Sequence, residues 1–146
     1  MSLFRLEPVG ATDAGLLDAL SAAALPADDL SDPDRAFFIL RDMDGHAVAY
    51  SGLEICGTDV LLRSMVVLPA YRGAGAGHIL TQLTLAEAPR NADAYLATTD
   101  AAMFFQGLGF EVVDRANIPQ AVLGTRQLSA LCPASATVMK RIKPPA

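Results

Sequence analysis

The chain has 146 residues, of which 52% are hydrophobic and 18% charged, and its formal net charge is −5. This composition excludes a disordered protein, and the acidic balance argues against a nucleic acid or an anionic membrane as partner. The length suits a single domain covering residues 1–146. No apolar run is long enough to span a membrane and no secretory pattern opens the sequence, so a cytoplasmic location is expected.

The cysteines and histidines do not predict a metal site. Two cysteines, Cys56 and Cys132, and two histidines lack the spacing of metal ligands. In a reducing cytosol, both cysteines are expected to be small buried hydrophobic residues.

Turn signals divide the first half of the chain into short apolar strands. Thr12 or Asp13 can cap one helix. Asp44-Gly45 predicts a hairpin turn, because glycine tolerates the positive φ that such turns require. The predicted strands are Leu3–Glu7, Phe37–Leu40, His46–Cys56 and Val60–Leu68. The last three are linked by turns and predict an antiparallel meander.

A glycine-rich loop follows the most apolar of these strands. Pro69 ends the strand because proline has no N–H to donate, and helical spacing begins at His78. Between them, residues 72–77 read Arg-Gly-Ala-Gly-Ala-Gly. The first amides of a helix lack an internal partner and lie at the positive end of its dipole, while glycines let a ligand approach the backbone. The loop therefore predicts a phosphate-binding site.

Two other interpretations of this loop are weaker. One is a flexible turn without a ligand. The other is a dinucleotide fingerprint, which needs G-x-G-x-x-G directly after the strand. If Gly73 and Gly75 are its first two glycines, the fingerprint requires a third at position 78, which is His78. Residues 69–72 also separate the strand from the glycines. A P-loop is excluded, because the sequence contains no G-x-x-x-x-G-K-[ST].

The second half alternates helices and strands. The helix that begins at His78 joins Val60–Leu68 to a strand at Ala94–Thr98, so these two strands are expected to run parallel. Asp100 is expected to cap the next helix. The remaining predicted elements are a helix at Ala101–Leu108, a strand at Phe110–Asp114, a loop and helix over Ile118–Leu131 and a last strand at Ala136–Ile142. This order predicts an α+β fold with a mixed sheet.

The loop resembles the acetyl-CoA pyrophosphate loop of the GNAT N-acetyltransferases, which carry Arg-x-x-Gly-x-Gly behind a strand ending in Val-x-Pro. Arg72, Gly75 and Gly77 keep that spacing, and Leu108-Gly109-Phe110 matches the family's second hallmark. Nearly the whole chain further resembles one branch, the arsenic-resistance N-acetyltransferases (ArsN type). The stretches that carry this narrower likeness are Leu61–Ser64, Thr98-Thr99, Phe104–Phe110, Asp114-Arg115 and Leu131–Ser135.

The resemblance implies the GNAT fold, in which the two parallel strands splay apart and the pantetheine arm of acetyl-CoA enters between them. Unpaired backbone groups of the splayed strands can bind the pantetheine amides as an added strand. The implied cofactor contacts are Met65, Val66 and Val67 on the strand, Arg72, Gly73, Ala74, Gly75, Ala76, Gly77 and His78 in the loop, and Phe105.

Phe105 departs from the family pattern. Many members carry a tyrosine there as a general acid toward the sulfur, and phenylalanine cannot donate a proton. With a thiol pKa of about 8.5, releasing thiolate at pH 7 costs about 2 kcal/mol more than releasing the thiol. A water or Thr98 can offset part of that cost.

Three residues are candidates for the chemistry. Glu54 lies in an apolar strand, where burial raises a carboxyl pKa, and is therefore a candidate base. Its alternative roles are an outward-facing strand residue or an ion pair with Arg63. Thr98 and Thr99 end a strand beside the expected wedge and are candidates to orient a water or the amine, although ordinary β-propensity explains them equally well.

Candidate substrate contacts are Arg63, Ser64 and Arg126. A guanidinium group pairs bidentately with carboxylate or arsonate-like oxygens, so these arginines suit an anionic part of a substrate. The alternative is a surface or ion-paired arginine. In the family, the segment after the first helix overhangs the acceptor site, and its acidic residues here either attract a cationic substrate or form a solvated loop. Those residues are Asp28, Asp29 and Asp32.

Together these predictions indicate a cytoplasmic enzyme that transfers acetyl from acetyl-CoA to the amine of a small molecule. The ArsN likeness implies a toxic amino compound, including an arsenic-containing amino acid. Phe105 leaves a non-catalytic acyl-CoA-binding or sensor module as an alternative. A further alternative is an assembly protein that forms a homodimer through an exposed edge strand near Ala136–Ile142.

Overall fold

The computed structural model describes residues 3–131 and 135–142, which contain seven strands and four α-helices. The strands are β1 (Phe4–Val9), β2 (Arg35–Asp42), β3 (Ala47–Cys56), β4 (Asp59–Val67), β5 (Ala94–Thr98), β6 (Phe110–Val112) and β7 (Thr137–Arg141). The helices are α1 (Ala14–Ala22), α2 (Ala76–Ala86), α3 (Ala102–Gln106) and α4 (Gln120–Leu123). There are also 3₁₀ turns at Pro69–Tyr71 and Arg115–Asn117, and a π-helical turn at Gln127–Leu131. No helix of this described part could cross a bilayer.

All seven strands form one sheet in the order β1-β2-β3-β4-β5-β7-β6. β4 and β5 are parallel, and the other neighbouring pairs are antiparallel, which confirms the predicted mixed sheet. The expectation of an exposed edge strand at Ala136–Ile142 is wrong. β7 pairs with β5 on one side and with β6 on the other, so β1 and β6 form the edges.

Helices cover both faces of the sheet, and neighbouring residues of β4 point to opposite faces. Leu62 packs with Leu96 and Phe105 on the face that carries α3. α2 packs on that side, where its Ala76 and Leu80 cluster with Leu40 of β2 and Val48 of β3. Leu61 packs with Tyr95 and residues of α4 on the opposite face. α1 packs near this second group through buried leucines against β2 and β3. The sheet therefore separates a face bearing α2 and α3 from a face bearing α1 and α4.

Local signals located several boundaries correctly. Asp13 caps α1, since its Oδ2 accepts a hydrogen bond from Leu16 N at 3.0 Å. Gly45 has a φ of +84° in the β2–β3 hairpin, as predicted. Asp100 does not cap α3; the amide of Ala101 instead donates to the Thr98 hydroxyl oxygen at 3.0 Å. Pro8 lies inside β1, where an edge strand tolerates a missing N–H.

Cys56 is buried as expected, and burial raises the pKa of its thiol to about 12. It therefore stays protonated near neutral pH and is a poor nucleophile. Cys132 lies outside the described residues.

Candidate active site

The parallel strands at the centre of the sheet separate after a short paired segment. β4 and β5 are in register at Val60 with Ala94 and at Leu61 with Tyr95, and no further pair joins them within the described strands. Each strand keeps its other neighbour, since β3 flanks β4 and β7 flanks β5. The backbone groups that face each other past Leu61 therefore have no ladder partner, and the strands open into a wedge.

The wedge leads into a cavity of about 860 Å³. This volume falls in the range of small-molecule sites, about 300–1,000 Å³. The cavity passes between β4 and β5, so both faces of the sheet contribute to it. Its described lining residues are Ala24, Leu25, Pro26, Leu62, Arg63, Ser64, Met65, Val66, Val67, Tyr71, Arg72, Gly73, Gly75, Ala76, Gly77, His78, Leu80, Leu96, Ala97, Thr98, Thr99, Asp100, Ala101, Phe104, Phe105, Gln127 and Ala136.

A β-bulge shapes the β4 wall of the wedge. Tyr50 pairs with Val66 but Gly52 pairs with Arg63, so two residues of β4 lie opposite one of β3. Ser64 has a φ of +57°, a conformation that a non-glycine residue rarely adopts. Bulges re-aim backbone and side chains and are frequent beside active sites. The bulge therefore turns the backbone of β4 at the point where the wedge opens.

Free amides surround the start of α2. Gly73 and Gly75 have φ values of +83° and +81°, and an added Cβ at either would meet no neighbouring atom within 4 Å. Among the hydrogen bonds of the described residues, none is donated by an amide of residues 73–78; the first from this region is donated by Ile79 to Gly75 O. Arg72 donates from Nε to the carbonyl of Val67 at 3.1 Å, which holds the loop against β4. The loop therefore offers the amides and dipole that a diphosphate requires.

Aromatic side chains form the opposite wall. Phe105 is buried and packs edge-on against Phe104 and Phe110, with ring centroids 5.1 Å and 5.8 Å apart. Phe104 reaches across to α2, because a Cβ added to Gly77 would lie 3.0 Å from its ring. Gly77 thus leaves room for the ring at the cavity mouth. Phe105 lines the cavity as expected and brings no hydroxyl group.

Hydroxyl groups lie on both strands of the wedge. The Thr98 oxygen accepts hydrogen bonds from the amides of Ala101 at 3.0 Å and Asp100 at 3.4 Å, which leaves its own O–H free to donate. The Ser64 oxygen accepts one from Arg63 Nε at 3.4 Å. Thr99 is exposed at the rim of the cavity.

A buried ion cluster ties the α1–β2 loop to the strands beside the wedge. Asp29 is fully buried and accepts two hydrogen bonds of 2.6 Å from Arg63. It also accepts from Arg35 at 2.8 Å and 3.2 Å. Burial raises the pKa of Asp29, but the hydrogen bonds from Arg63 and Arg35 outweigh it and lower the pKa from 3.8 to about 2. Asp29 is therefore a structural anion and is not free to attract a cationic substrate.

Glu54 belongs to the same cluster. Its carboxylate accepts a hydrogen bond from Arg63 at 2.9 Å and lies 3.4 Å from Arg35. Of the two roles considered for it, the geometry matches the ion pair with Arg63, and Glu54 is not among the residues lining the cavity. The Arg63 guanidinium is likewise fully buried between Asp29 and Glu54, so it has no surface for a substrate anion. Arg63 and Ser64 both line the cavity, while the charge of Arg63 is neutralised.

Arg126 lies on the surface and not in the cavity. It donates to Asp32 at 2.7 Å, with half of its side chain exposed, and joins the segment before the π-helical turn to the α1–β2 loop. Ala74 likewise belongs to the glycine loop without lining the cavity. The other predicted site residues, Glu54 apart, all lie along the cavity. No local pattern distinguishes the remaining lining residues, which sequence reasoning missed. They are Ala24–Pro26, Leu62, Tyr71, Leu80, Leu96, Ala97, Asp100, Ala101, Phe104, Gln127 and Ala136.

Comparisons with known proteins support this geometry. Three of the solved structures that share the fold illustrate the likeness. A protein described as an acyl-CoA N-acyltransferase, from Klebsiella pneumoniae, has a TM-score of 0.73 at 19% identity, over 95% of this chain and 97% of its own. A GNAT-family acetyltransferase from Staphylococcus aureus has a TM-score of 0.69 at 16% identity, over 94% and 98%. A mutant spermidine N-acetyltransferase from Vibrio cholerae has a TM-score of 0.68 at 13% identity, over 96% and 94%.

The wedge and the loop of free amides define the fold class as that of acyl-CoA N-acyltransferases. The acetyltransferase (GNAT) domain family matches residues 33–112, more than half of the chain, so the chain belongs to this family. No curated protein sequence matches the chain.

Proposed function

We propose that the protein transfers an acetyl group from acetyl-CoA to the amine of a small molecule. One observation carries the proposal: a wedge between parallel strands opens beside a helix N-terminus where the six amides of residues 73–78 donate no hydrogen bond to the described residues. In this proposal the amides of residues 73–78 bind the diphosphate of the cosubstrate. The unpaired backbone groups of β4 past Leu61 bind its pantetheine amides in the manner of an added strand.

The chemistry requires one bond to form and one to break. The amine nitrogen bonds to the acetyl carbon, the carbon–sulfur bond breaks, and the amine loses a proton while the thiolate gains one. The Thr98 hydroxyl can donate a hydrogen bond to the departing thiolate, since two backbone amides already occupy its oxygen, and the thiolate then takes its proton from water. Because thiolate release at pH 7 costs only about 2 kcal/mol over thiol release, the absence of a hydroxyl at Phe105 is compatible with turnover.

Deprotonation of the amine needs no lining carboxylate in this proposal. Glu54 is bonded to two arginines, and the charged lining residues near α2 and α3 are exposed. The amine therefore enters in its neutral form and gives its proton to water. The rate at limiting acceptor is then expected to rise with pH up to the pKa of the acceptor amine itself.

The acceptor is proposed as a small primary amine, and the arsenic-resistance likeness adds an arsenic-containing amino acid to the candidates. The test is thiol release from acetyl-CoA in the presence of an amine panel: amino-acid amides, free amino acids, an arsenic-containing amino acid and spermidine. Gly75→Glu, which brings a carboxylate to the diphosphate position, is the negative control. Amine-dependent thiol release that disappears in this variant supports the proposal.

The protein also fits a second function, a non-catalytic acyl-CoA-binding module, because Phe105 has no hydroxyl group and Glu54 is held in ion pairs. Calorimetry separates the two. Binding of acetyl-CoA without thiol release for any amine would favour the binding module, and absence of binding would overturn both.

A further inference from the structure

Gln127 is a buried polar residue in the wall of the cavity. It is 7% exposed, lines the cavity and begins the π-helical turn. Its Oε1 atom is buried and accepts no hydrogen bond from the described residues. Buried polar side chains are paired in most folded proteins, so an exception calls for a ligand or a functional explanation. π-helical turns are themselves frequent at functional sites.

The position of Gln127 assigns it to the acceptor side of the wedge. Leu128, the next residue, packs with Leu61 and Tyr95 on the face that carries α1 and α4. The loop and helix proposed to hold the cosubstrate diphosphate contact the opposite face. Gln127 therefore reaches the cavity from the face opposite α2 and α3, which is the side left for the acceptor when the cosubstrate diphosphate lies at α2.

The charges around Gln127 favour an acceptor that is uncharged apart from its reacting amine. Of the charged residues that line the cavity, Arg72 belongs to the glycine loop, Asp100 is exposed before α3, and Arg63, beside Ser64, is neutralised by two carboxylates. Arg126 is held by Asp32 outside the cavity. The other contributions are small or neutral side chains, including Ala24, Leu25, Pro26, Ser64 and Ala136. A second ammonium group or a carboxylate would enter without a counter-ion, which is unfavourable away from water.

We propose that the carboxamide of Gln127 binds the acceptor substrate, through a hydrogen bond to a neutral polar group, and selects amines that carry no second charge. This inference rests on the proposed acetyl transfer and names its substrate class, of which amino-acid amides are the simplest probes. The bond to Gln127 is made only when the acceptor is bound, so in the free protein its Oε1 atom has no partner among the described residues. A site built to hydrogen-bond a substrate group discriminates strongly against analogues that lack it.

The experiment uses three variants of the full chain. Gln127→Met removes the hydrogen-bonding group at similar volume, Gln127→Glu adds a charge, and Gln82→Met changes an exposed glutamine on α2 as a matched control. Initial rates are measured with leucinamide, leucine and spermidine, at varied acceptor and varied acetyl-CoA. Melting temperature is measured for each variant.

We expect the wild type to prefer leucinamide over leucine and spermidine. Gln127→Met should lower kcat/KM for leucinamide by about tenfold or more while the KM for acetyl-CoA and the melting temperature are maintained, because Oε1 accepts no hydrogen bond from the described residues of the free protein. Gln127→Glu should shift the preference toward spermidine, and Gln82→Met should match the wild type.

The inference is overturned if Gln127→Met leaves the acceptor kinetics unchanged, or if it lowers the melting temperature and acetyl-CoA binding together, as loss of a structural residue would. A wild type that turns over leucine or spermidine best also overturns it, while the proposed acetyl transfer stands. Failure of every amine would instead overturn the proposed function, and this inference with it.

Discussion

Substitution of Asp29 by asparagine tests the buried ion cluster that positions the α1–β2 loop over the cavity. Asp29 accepts four hydrogen bonds from Arg63 and Arg35 and is fully buried. The lowering of its pKa from 3.8 to about 2 corresponds to about 2 kcal/mol in favour of the charged form. Removing one partner of a buried ion pair costs about 3–5 kcal/mol. Since asparagine keeps one acceptor oxygen, we expect the free energy of unfolding to fall by about 2–4 kcal/mol.

Equilibrium urea unfolding at pH 7 measures this change. Asp32→Asn is the matched control, because it removes an aspartate of the same loop that pairs with Arg126 at 2.7 Å on the surface. An exposed pair contributes less than about 1 kcal/mol. If Asp29→Asn costs no more than Asp32→Asn, the cluster does not hold the loop and this reasoning fails.

The same residue predicts a pH dependence. The pKa of Asp29 is lower in the folded protein than in the unfolded chain, so the unfolded chain binds the proton more readily. Its stabilisation is therefore complete above about pH 4 and is lost as the pH falls toward 2. Asp29→Asn should remove that part of the acid dependence of stability. An unchanged acid limb in the variant would contradict the assignment.

Three further substitutions test the site. Gly75→Ala should weaken acetyl-CoA binding in calorimetry, because alanine is strained at a φ of +81°. Gly45→Ala, at a φ of +84° in a distant hairpin, is the control and should bind acetyl-CoA like the wild type. If the two variants bind acetyl-CoA equally well, the loop is not part of the site. Thr98→Val should lower kcat by about tenfold. The loss should not exceed about thirtyfold, because that factor corresponds to the full cost of releasing thiolate in place of thiol at pH 7. Thr98→Ser should restore kcat. Glu54→Gln should lower the free energy of unfolding by about 2 kcal/mol and leave the pH profile of kcat/KM unchanged. A profile that loses its acidic limb would establish Glu54 as the base.

Local sequence signals were sufficient to predict the order of the main secondary-structure elements and several of their boundaries. The glycine of the β2–β3 hairpin, the aspartate cap of α1 and the strand–loop–helix order around residues 72–78 depend on neighbours within a few positions, and all three are found. One expected helix cap was replaced by a different local hydrogen bond. The Thr98 hydroxyl oxygen at the strand end accepts from the amide of Ala101, and no side chain caps α3.

Side-chain roles that depend on partners distant in the chain could not be predicted from the sequence. Whether Glu54 is a base or an ion-pair partner depends on Arg35 and Arg63. Whether the charge of Arg63 is available to a substrate depends on Asp29, which lies 34 residues away along the chain. An apolar strand with one carboxylate looks the same in either case. Gln127 gives no local signal at all, since its significance is the absence of a partner inside a cavity formed by segments from across the chain.

Hydrogen exchange of the glycine-loop amides tests the central claim most directly. In the free protein the amides of residues 73–78 donate no hydrogen bond within the described chain, so they should exchange rapidly. Saturating acetyl-CoA should slow their exchange by about tenfold or more, together with amides of β4 past Leu61, while the hairpin at residues 42–46 stays unchanged. Exchange in the loop that is already slow without acetyl-CoA, or that does not respond to it, would contradict the account.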